Sequence, residues 1–314
     1  MPSRQKKPIE EAFLKVFQGV RKKLSFTTFP LKELKDHLIE VLAQAAISKC
    51  VAFNIAANQK IKHTEAAFFL MSNLRGICED LICLTYLSRL EKKHAVKLIE
   101  LKQFQNVSKG LKVQKNFFEA NNPVQPIFND REITGRAERI IQQNREDLRD
   151  LWQSMGCFKQ DGPTTRDMAE SVGLTSTYEF VYFSASNFVH FNPQALFRMG
   201  WGPQEGPFTF SVRHMDSYYR SFSSFYGAVL FIGFHSSFGR HCFEADLNAE
   251  IKELIELLGH VHRWPEVITF EEMNHKPPLY ILTHALREAM REEDKKMPYG
   301  AILEEVQSLR ASTP

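Results

Sequence analysis

Several familiar catalytic signatures are missing from this sequence. There is no glycine-rich phosphate loop, no dinucleotide-binding fingerprint and no G-x-S-x-G elbow, so chemistry that depends on those turns has no seat here. His235, His241, His260 and His262 stand outside any H-E-x-x-H pattern or paired-carboxylate motif, and neither a metal centre nor another cofactor is expected. The five cysteines, Cys50, Cys78, Cys83, Cys157 and Cys242, are odd in number and contain no C-x-x-C spacing. That usage fits free thiols in a reducing cytosol better than a disulfide framework or a zinc site. The longest strongly apolar run, Gly227–Phe234, falls well short of the roughly 20 residues a membrane-spanning helix needs. The N-terminal MPSRQKKPIEEAF carries basic residues with no apolar stretch or cleavage pattern behind them, so no secretion signal is expected. These absences predict a cytoplasmic protein without membrane attachment. Internal repeats and low-complexity tracts do not stand out either.

What the sequence does contain is helix. Its 314 residues are 43% hydrophobic and 25% charged, with 26 phenylalanines, enough for a large core filled by aromatic side chains. The formal net charge of +3 does not by itself announce a nucleic-acid partner. Apolar residues recur at helical spacing over Ile9–Leu24, Leu31–Asn58, Thr64–Leu90, Glu91–Asn116 and Thr134–Met155. Further helices are predicted at Thr165–Val172, Tyr178–Asn192, Asp216–Phe238, Asp246–His260, Pro278–Glu293 and Gly300–Leu309. The only strand signal is one short β-hairpin near 201–213. The expectation is an all-α, multi-helix bundle divided into N-terminal helices over 1–60, a core over 61–245 with a loop at 120–132, and a C-terminal helical extension over 246–314.

Two of these helices carry polar side chains in apolar company. Between Ala66 and Leu87 only Arg75, Glu79 and Asp80 are charged, and Arg75 and Glu79, four apart, share a helix face. A buried ion must be paired or functional. In the second helix Tyr182, Ser186 and His190 repeat every four residues, beginning one turn after Tyr178. Pro193 predicts a helix end near Asn192, which places His190 in the last turn, where the negative end of the helix dipole favours a protonated imidazole. If the two faces meet, they form one polar site. Arg220, alone in charge along Ser217–Phe238, is a spare candidate for it.

The segment from Glu91 to Asn116 is the strongest local concentration of positive charge. Lys92, Lys93, Lys97, Lys102, Lys109 and Lys112 supply either a solvated helix face or a phosphate-facing one.

Arg75/Glu79 and Tyr182/Ser186/His190, read as Arg-x-x-x-Glu on one long helix and Tyr-x-x-x-Ser-x-x-x-His on a later one, resemble an uncharacterised prokaryotic all-helical family distantly similar to the HEPN superfamily. The resemblance covers about residues 35–245. It implies an HEPN-like helical core, a homodimer, and a metal-independent endoribonuclease acting as a toxin or antiphage-defence effector. The superfamily signature places an arginine before the histidine on one helix, with four to six residues between them. No arginine occupies Phe183–Ala185 ahead of His190, whereas Arg89 and His94 match the spacing literally.

On the first reading a 2′-hydroxyl attacks the adjacent phosphate, leaving a cyclic phosphate and a 5′-hydroxyl. His190 exchanges protons with the attacking or leaving oxygen, Arg75 stabilises the phosphorane, and Glu79 orients Arg75. Tyr182 and Ser186 hold the imidazole or the phosphate, and the lysines attract the RNA backbone. The competing expectation is a non-catalytic helical sensor or binding module, for a nucleotide or for a protein partner in a defence complex.

Overall fold

The computed structural model describes residues 9–59, 66–122, 124, 130–155, 157, 161–197, 199–201, 207–242, 246–261 and 264–267. Over these residues the protein is an all-α bundle, and the only strand pairing among them is a two-residue antiparallel ladder, Gly200–Trp201 (β1) with Thr209–Phe210 (β2). The predicted helices at Pro278–Glu293 and Gly300–Leu309, the predicted start of a helix at Thr64, and His262 lie outside the described residues.

Helix α1 (Ile9–Lys23) buries Phe13, Val16, Phe17 and Val20 along one stripe. Glu10 and Glu11 in its first turn and Arg21, Lys22 and Lys23 in its last complement the helix dipole. Helix α2 (Leu38–Asn58) starts later than its apolar pattern predicts, after a short 3₁₀ turn at Leu31–Glu33. Among the described residues, α2 alone is long and apolar enough to cross a membrane. It is instead packed among α1, α3 (Ala66–Arg89) and α10 (Asp216–Cys242), the position of a core helix.

Helices α2, α3 and α10 pack pairwise and form the centre of the bundle. Gly227 lets α10 approach α2: a Cβ there would stand 2.6 Å from Asn54 Oδ1 and 2.8 Å from the Phe53 ring. The contact is also hydrogen-bonded. Asn54 Nδ2 donates to the carbonyls of Cys50 (2.9 Å) and Gly227 (3.0 Å), Asn58 Nδ2 donates to Asn54 O (2.7 Å), and Ser224 Oγ donates to Asn58 Oδ1 (2.5 Å). Buried amides bonded in this way fix the register of two helices that apolar contacts alone would leave free to slide. The core continues outward through Leu254 and Leu258 of α11 (Asn248–Gly259), which lies on α1.

Helices α4 (Lys92–Asn121) and α5 (Asp130–Ser154) pack chiefly on each other. Their arm is rooted by Lys35–Glu100 (2.9 Å) and Lys92–Asp36 (3.2 Å) and by Asp161, which accepts from Gln105 (2.6 Å) and Arg145 (2.7 Å). Gly162 follows with φ +79° against the Trp152 indole, where a Cβ would come within 2.8 Å of the ring. Only glycine satisfies both the left-handed backbone and the contact. The loop then enters α6 (Thr165–Val172) through a capping box between Thr164 and Asp167, and α6 ends on Gly173 in the left-handed region.

The predicted helix over Tyr178–Asn192 is shorter and less regular than its sequence pattern suggests. It begins as α7 (Thr175–Thr177), widens to π spacing over Tyr178–Tyr182 and closes as α8 (Phe183–Ser186). Beyond Ser186 the amides of Phe188 and Val189 bond three residues back, to Ala185 O (3.1 Å) and Ser186 O (3.0 Å), which tightens the chain into a turn. Asn192 then bonds Asn187 (2.8 Å), and its Oδ1 accepts from Ala195 N (3.4 Å) at the start of α9 (Pro193–Phe197). Asparagine side chains offer the backbone this alternative to helix.

Candidate functional site

Arg75 lies in the middle of α3, half-buried among helices, and its side chain meets Tyr182 across the helix contact. Nη2 donates to the Tyr182 hydroxyl at 2.8 Å, and Cζ lies 4.9 Å from the centroid of the same ring. This bond is the largest cause holding the Arg75 guanidinium's proton affinity above its ordinary value; burial opposes it, and the field of Glu79 adds to it. No carboxylate lies within ion-pair distance of Arg75 among the described residues, and its buried Nε has no hydrogen-bond partner there. The predicted clamp of Glu79 on Arg75 is therefore a field effect and not a contact. Glu79 Oε1 instead accepts from Thr165 Oγ1 at 3.3 Å.

Tyr178 stacks on Tyr182 with centroids 4.6 Å apart and planes 20° from parallel. The wider π turn brings the two rings together one above the other. Burial raises the Tyr178 hydroxyl above the usual phenol range, as do Tyr182 and Glu79, while Arg166 and Arg75 lower it. Arg166 itself pairs with Glu170 (3.0 Å) and Glu179 (3.6 Å). The result is a small polar locus where α3, the start of α6 and the π turn meet: one fixed arginine, two stacked tyrosines, a carboxylate held by a threonine, and a second arginine at the rim.

Of the predicted site residues, the structure brings Arg75, Glu79 and Tyr182 to this locus and leaves two outside it. Ser186 Oγ donates to Tyr182 O (2.7 Å) of its own helix. His190 is exposed in the turn beyond Ser186, with no side-chain hydrogen bond or ion pair among the described residues. The period of four that links Tyr182, Ser186 and His190 presumes a helix that stops at Ser186, so the shared face ends there too. Thr165 and Tyr178 are members the four-residue spacing did not assign a role. Thr165 comes from a helix 86 positions away in sequence from Glu79, a contact no local period can show.

The alternative arginines have structural employment. Arg89 donates to Ser171 O and Val172 O, both at 3.2 Å, and caps the C-terminal end of α6. Arg220 does the same for α2, donating to Gln59 O (2.9 Å) and Ala57 O (3.4 Å) while paired with Asp216 at 3.3 Å. His94, the partner of Arg89 in the literal signature, opens α4 with Glu91 Oε2 3.9 Å from its Nδ1.

The six lysines of α4 divide. Lys92, Lys93 and Lys97 pair with Asp36 (3.2 Å), Glu91 (2.9 Å) and Asp147 (2.6 Å), and Lys102 donates to the Asp161 carbonyl at 2.9 Å. Lys109 and Lys112 line an open cleft of about 760 Å³ between α4 and α5, with Arg145, Gln105 and Glu138. Lysines already beside carboxylates contribute little net field.

Cys50, Cys78 and Cys83 are not reactive thiols. Cys50 and Cys78 are buried and free, and burial pushes both thiols well above their ordinary range; Cys83, also free, is pushed up to about 12 by burial first and then by Glu79 and Asp80. No group of three or more His, Cys, Asp or Glu among the described residues has the arrangement of a metal site.

No curated protein and no solved structure matches the chain. One family model does, a family of unknown function (DUF5677), over residues 39–206, a span that runs from α2 through the polar locus to the β1–β2 region.

Proposed function

The chain belongs to the DUF5677 family, whose function is unknown, and from the geometry of its polar locus we propose a helical binding module for a phosphate-bearing ligand of the nucleotide class. The observation that carries the reading is Arg75. A half-buried guanidinium fixed by a tyrosine hydroxyl and ring, with no carboxylate in contact among the described residues, keeps its charge available to an anion. Stacked Tyr178 and Tyr182 supply aromatic surface beside it. The π turn that places the two tyrosines is a kind of helix defect found often at functional sites. The free thiols fit a reducing compartment, and we place the protein in the cytoplasm.

Titration of the intact protein with adenosine and guanosine nucleotides, followed by calorimetry and by melting temperature, tests this reading. Binding that is lost in Arg75→Ala and partly kept in Arg75→Lys supports it. A wild-type protein whose melting is unmoved by nucleotides, inorganic phosphate and short RNA sinks it.

A metal-independent endoribonuclease of HEPN type, in a toxin or antiphage setting, is the second reading, and the exposed imidazole of His190 favours it because a substrate can reach that ring. Geometry within one chain opposes it. Among the described residues Arg75 is bonded to Tyr182, while His190 lies in the turn beyond Ser186 with no side-chain contact to the locus. Incubation of total RNA with the protein and a chelator decides the matter: fragments ending in cyclic phosphate that disappear with His190→Ala establish the nuclease, and intact RNA removes it.

A further inference from the structure

Arg75 and Glu79 stand one turn apart on the same face of α3, the spacing at which an arginine and a glutamate ordinarily pair. Here they do not pair, because each is held by a different neighbouring element. Arg75 Nη2 donates to the Tyr182 hydroxyl of the π turn at 2.8 Å, and Glu79 Oε1 accepts from Thr165 Oγ1 of α6 at 3.3 Å. Asp80, the next residue, is matched by Lys49 at 2.7 Å. Glu79 has no such cation among the described residues, and its second oxygen accepts no hydrogen bond there. The locus therefore holds two opposite charges, both half-buried, that are separated by roughly 6 Å of helix rise and kept off each other.

Such a pair suits a ligand with two unlike ends. Half-buried ions without a contact cost desolvation free energy that a complementary ligand recovers. The guanidinium end takes an anion, and an ionised carboxylate can only accept, so its end takes hydroxyl or N–H donors. In a nucleoside 5′-phosphate the 2′- and 3′-hydroxyls are donors carried one sugar ring away from the phosphorus, a separation of the same order as the helix turn. The Watson–Crick edge of the base lies farther off, beyond the glycosidic bond. Dinucleotide-binding folds recognise ribose hydroxyls with a carboxylate in the same chemical manner.

We propose that Glu79 is the specificity-determining residue of the locus: it accepts hydrogen bonds from the ribose hydroxyls of a nucleotide whose 5′-phosphate lies on Arg75, so the site selects ribonucleotides over 2′-deoxyribonucleotides. The inference rests on the nucleotide reading of the Arg75 locus. Thr165 is a positioning residue, since its hydroxyl engages one carboxylate oxygen and leaves the other for the sugar. The same negative charge repels a phosphate at that end, which excludes nucleotides phosphorylated on the 2′- or 3′-oxygen.

Calorimetric titration of the intact protein with the 5′-monophosphates of adenosine, guanosine, 2′-deoxyadenosine and 2′-deoxyguanosine tests the proposal. The wild type should prefer each ribonucleotide over its deoxy counterpart by roughly 10–100-fold, the span expected of a hydrogen bond to a charged group. The readout is a ratio of affinities, which a partial loss of folded protein does not move. Glu79→Ala, which removes the acceptor, should bring the ratio to within about threefold of unity, with Glu79→Gln between the two. Thr165→Val should lower the ratio and Thr165→Ser should restore it. Equal affinity for the two sugars in the wild type, a ratio indifferent to Glu79→Ala, or a preference that follows guanine whatever the sugar overturns the assignment of Glu79 and leaves the nucleotide-binding module in place. Binding of none of the four nucleotides overturns both.

Discussion

Arg75 shows what a single residue contributes when its surroundings are fixed. Among the described residues its charge is oriented by Tyr182, so Tyr182→Phe, which keeps the ring and removes the hydroxyl acceptor, should lower stability by about 0.5–1.5 kcal/mol in a denaturant titration. It should weaken nucleotide binding as well, without changing which nucleotides bind. Arg75 and Glu79 were legible in the sequence because they are almost the only charges on a long apolar stretch. Tyr182 was legible through its spacing. Its partnership with Arg75 was not, because the two are 107 positions apart. His190 lies outside the locus for a different reason: a period of four carries meaning only while the chain stays helical, and Asn187 and Asn192 divert it into a turn. The carboxylate partners of Lys92 and Lys97, Asp36 and Asp147, lie 56 and 50 positions away, equally beyond the reach of local pattern.

At the scale of elements, most helices were readable, since an apolar stripe and its charged opposite face specify both the helix and the side it buries. Thr165–Val172 emerges with the predicted bounds, and the hairpin signal near 201–213 survives as the short β1–β2 ladder. The close contact of α2 with α10 was not readable, because nothing in Gly227 itself announces Asn54 beneath it. Gly227→Ala should therefore destabilise the fold by about 1–3 kcal/mol, the range for overpacking a tight contact, seen as a lower denaturation midpoint with an unchanged slope.

The arm has its own pH signature. Asp161 is held below the usual carboxylate range first by its hydrogen bond from Arg145, then by Arg145's charge and by Gln105. A depressed folded value stabilises the folded form above the ordinary aspartate pKa of about 3.9. That contribution is lost as pH falls through the depressed value. Amide protection around Gln105, Arg145 and Asp161, taken relative to the intrinsic exchange rate, should fall below about pH 4 in the wild type, and Asp161→Asn should remove that acid-dependent step.

Among the described residues, α2, α3 and α10 make the centre of the bundle, the lysine-bearing arm of α4 and α5 packs chiefly on itself, and Phe183 and Phe191 face water. The matched family span takes in α2, α3, the arm and the polar locus, while α10 and α11 lie beyond it. The Arg75 locus is the proposed seat of ligand recognition.

The most direct test of the Arg75 assignment is the nuclear magnetic resonance signal of its Nε–H, which is buried and has no partner among the described residues, identified by its disappearance in Arg75→Lys. Addition of a nucleotide should shift this signal in proportion to occupancy while the corresponding signal of Arg220, committed to the end of α2, stays in place. An Arg75 signal that remains fixed while the nucleotide binds elsewhere, or under saturating nucleotide with no binding at all, contradicts the account.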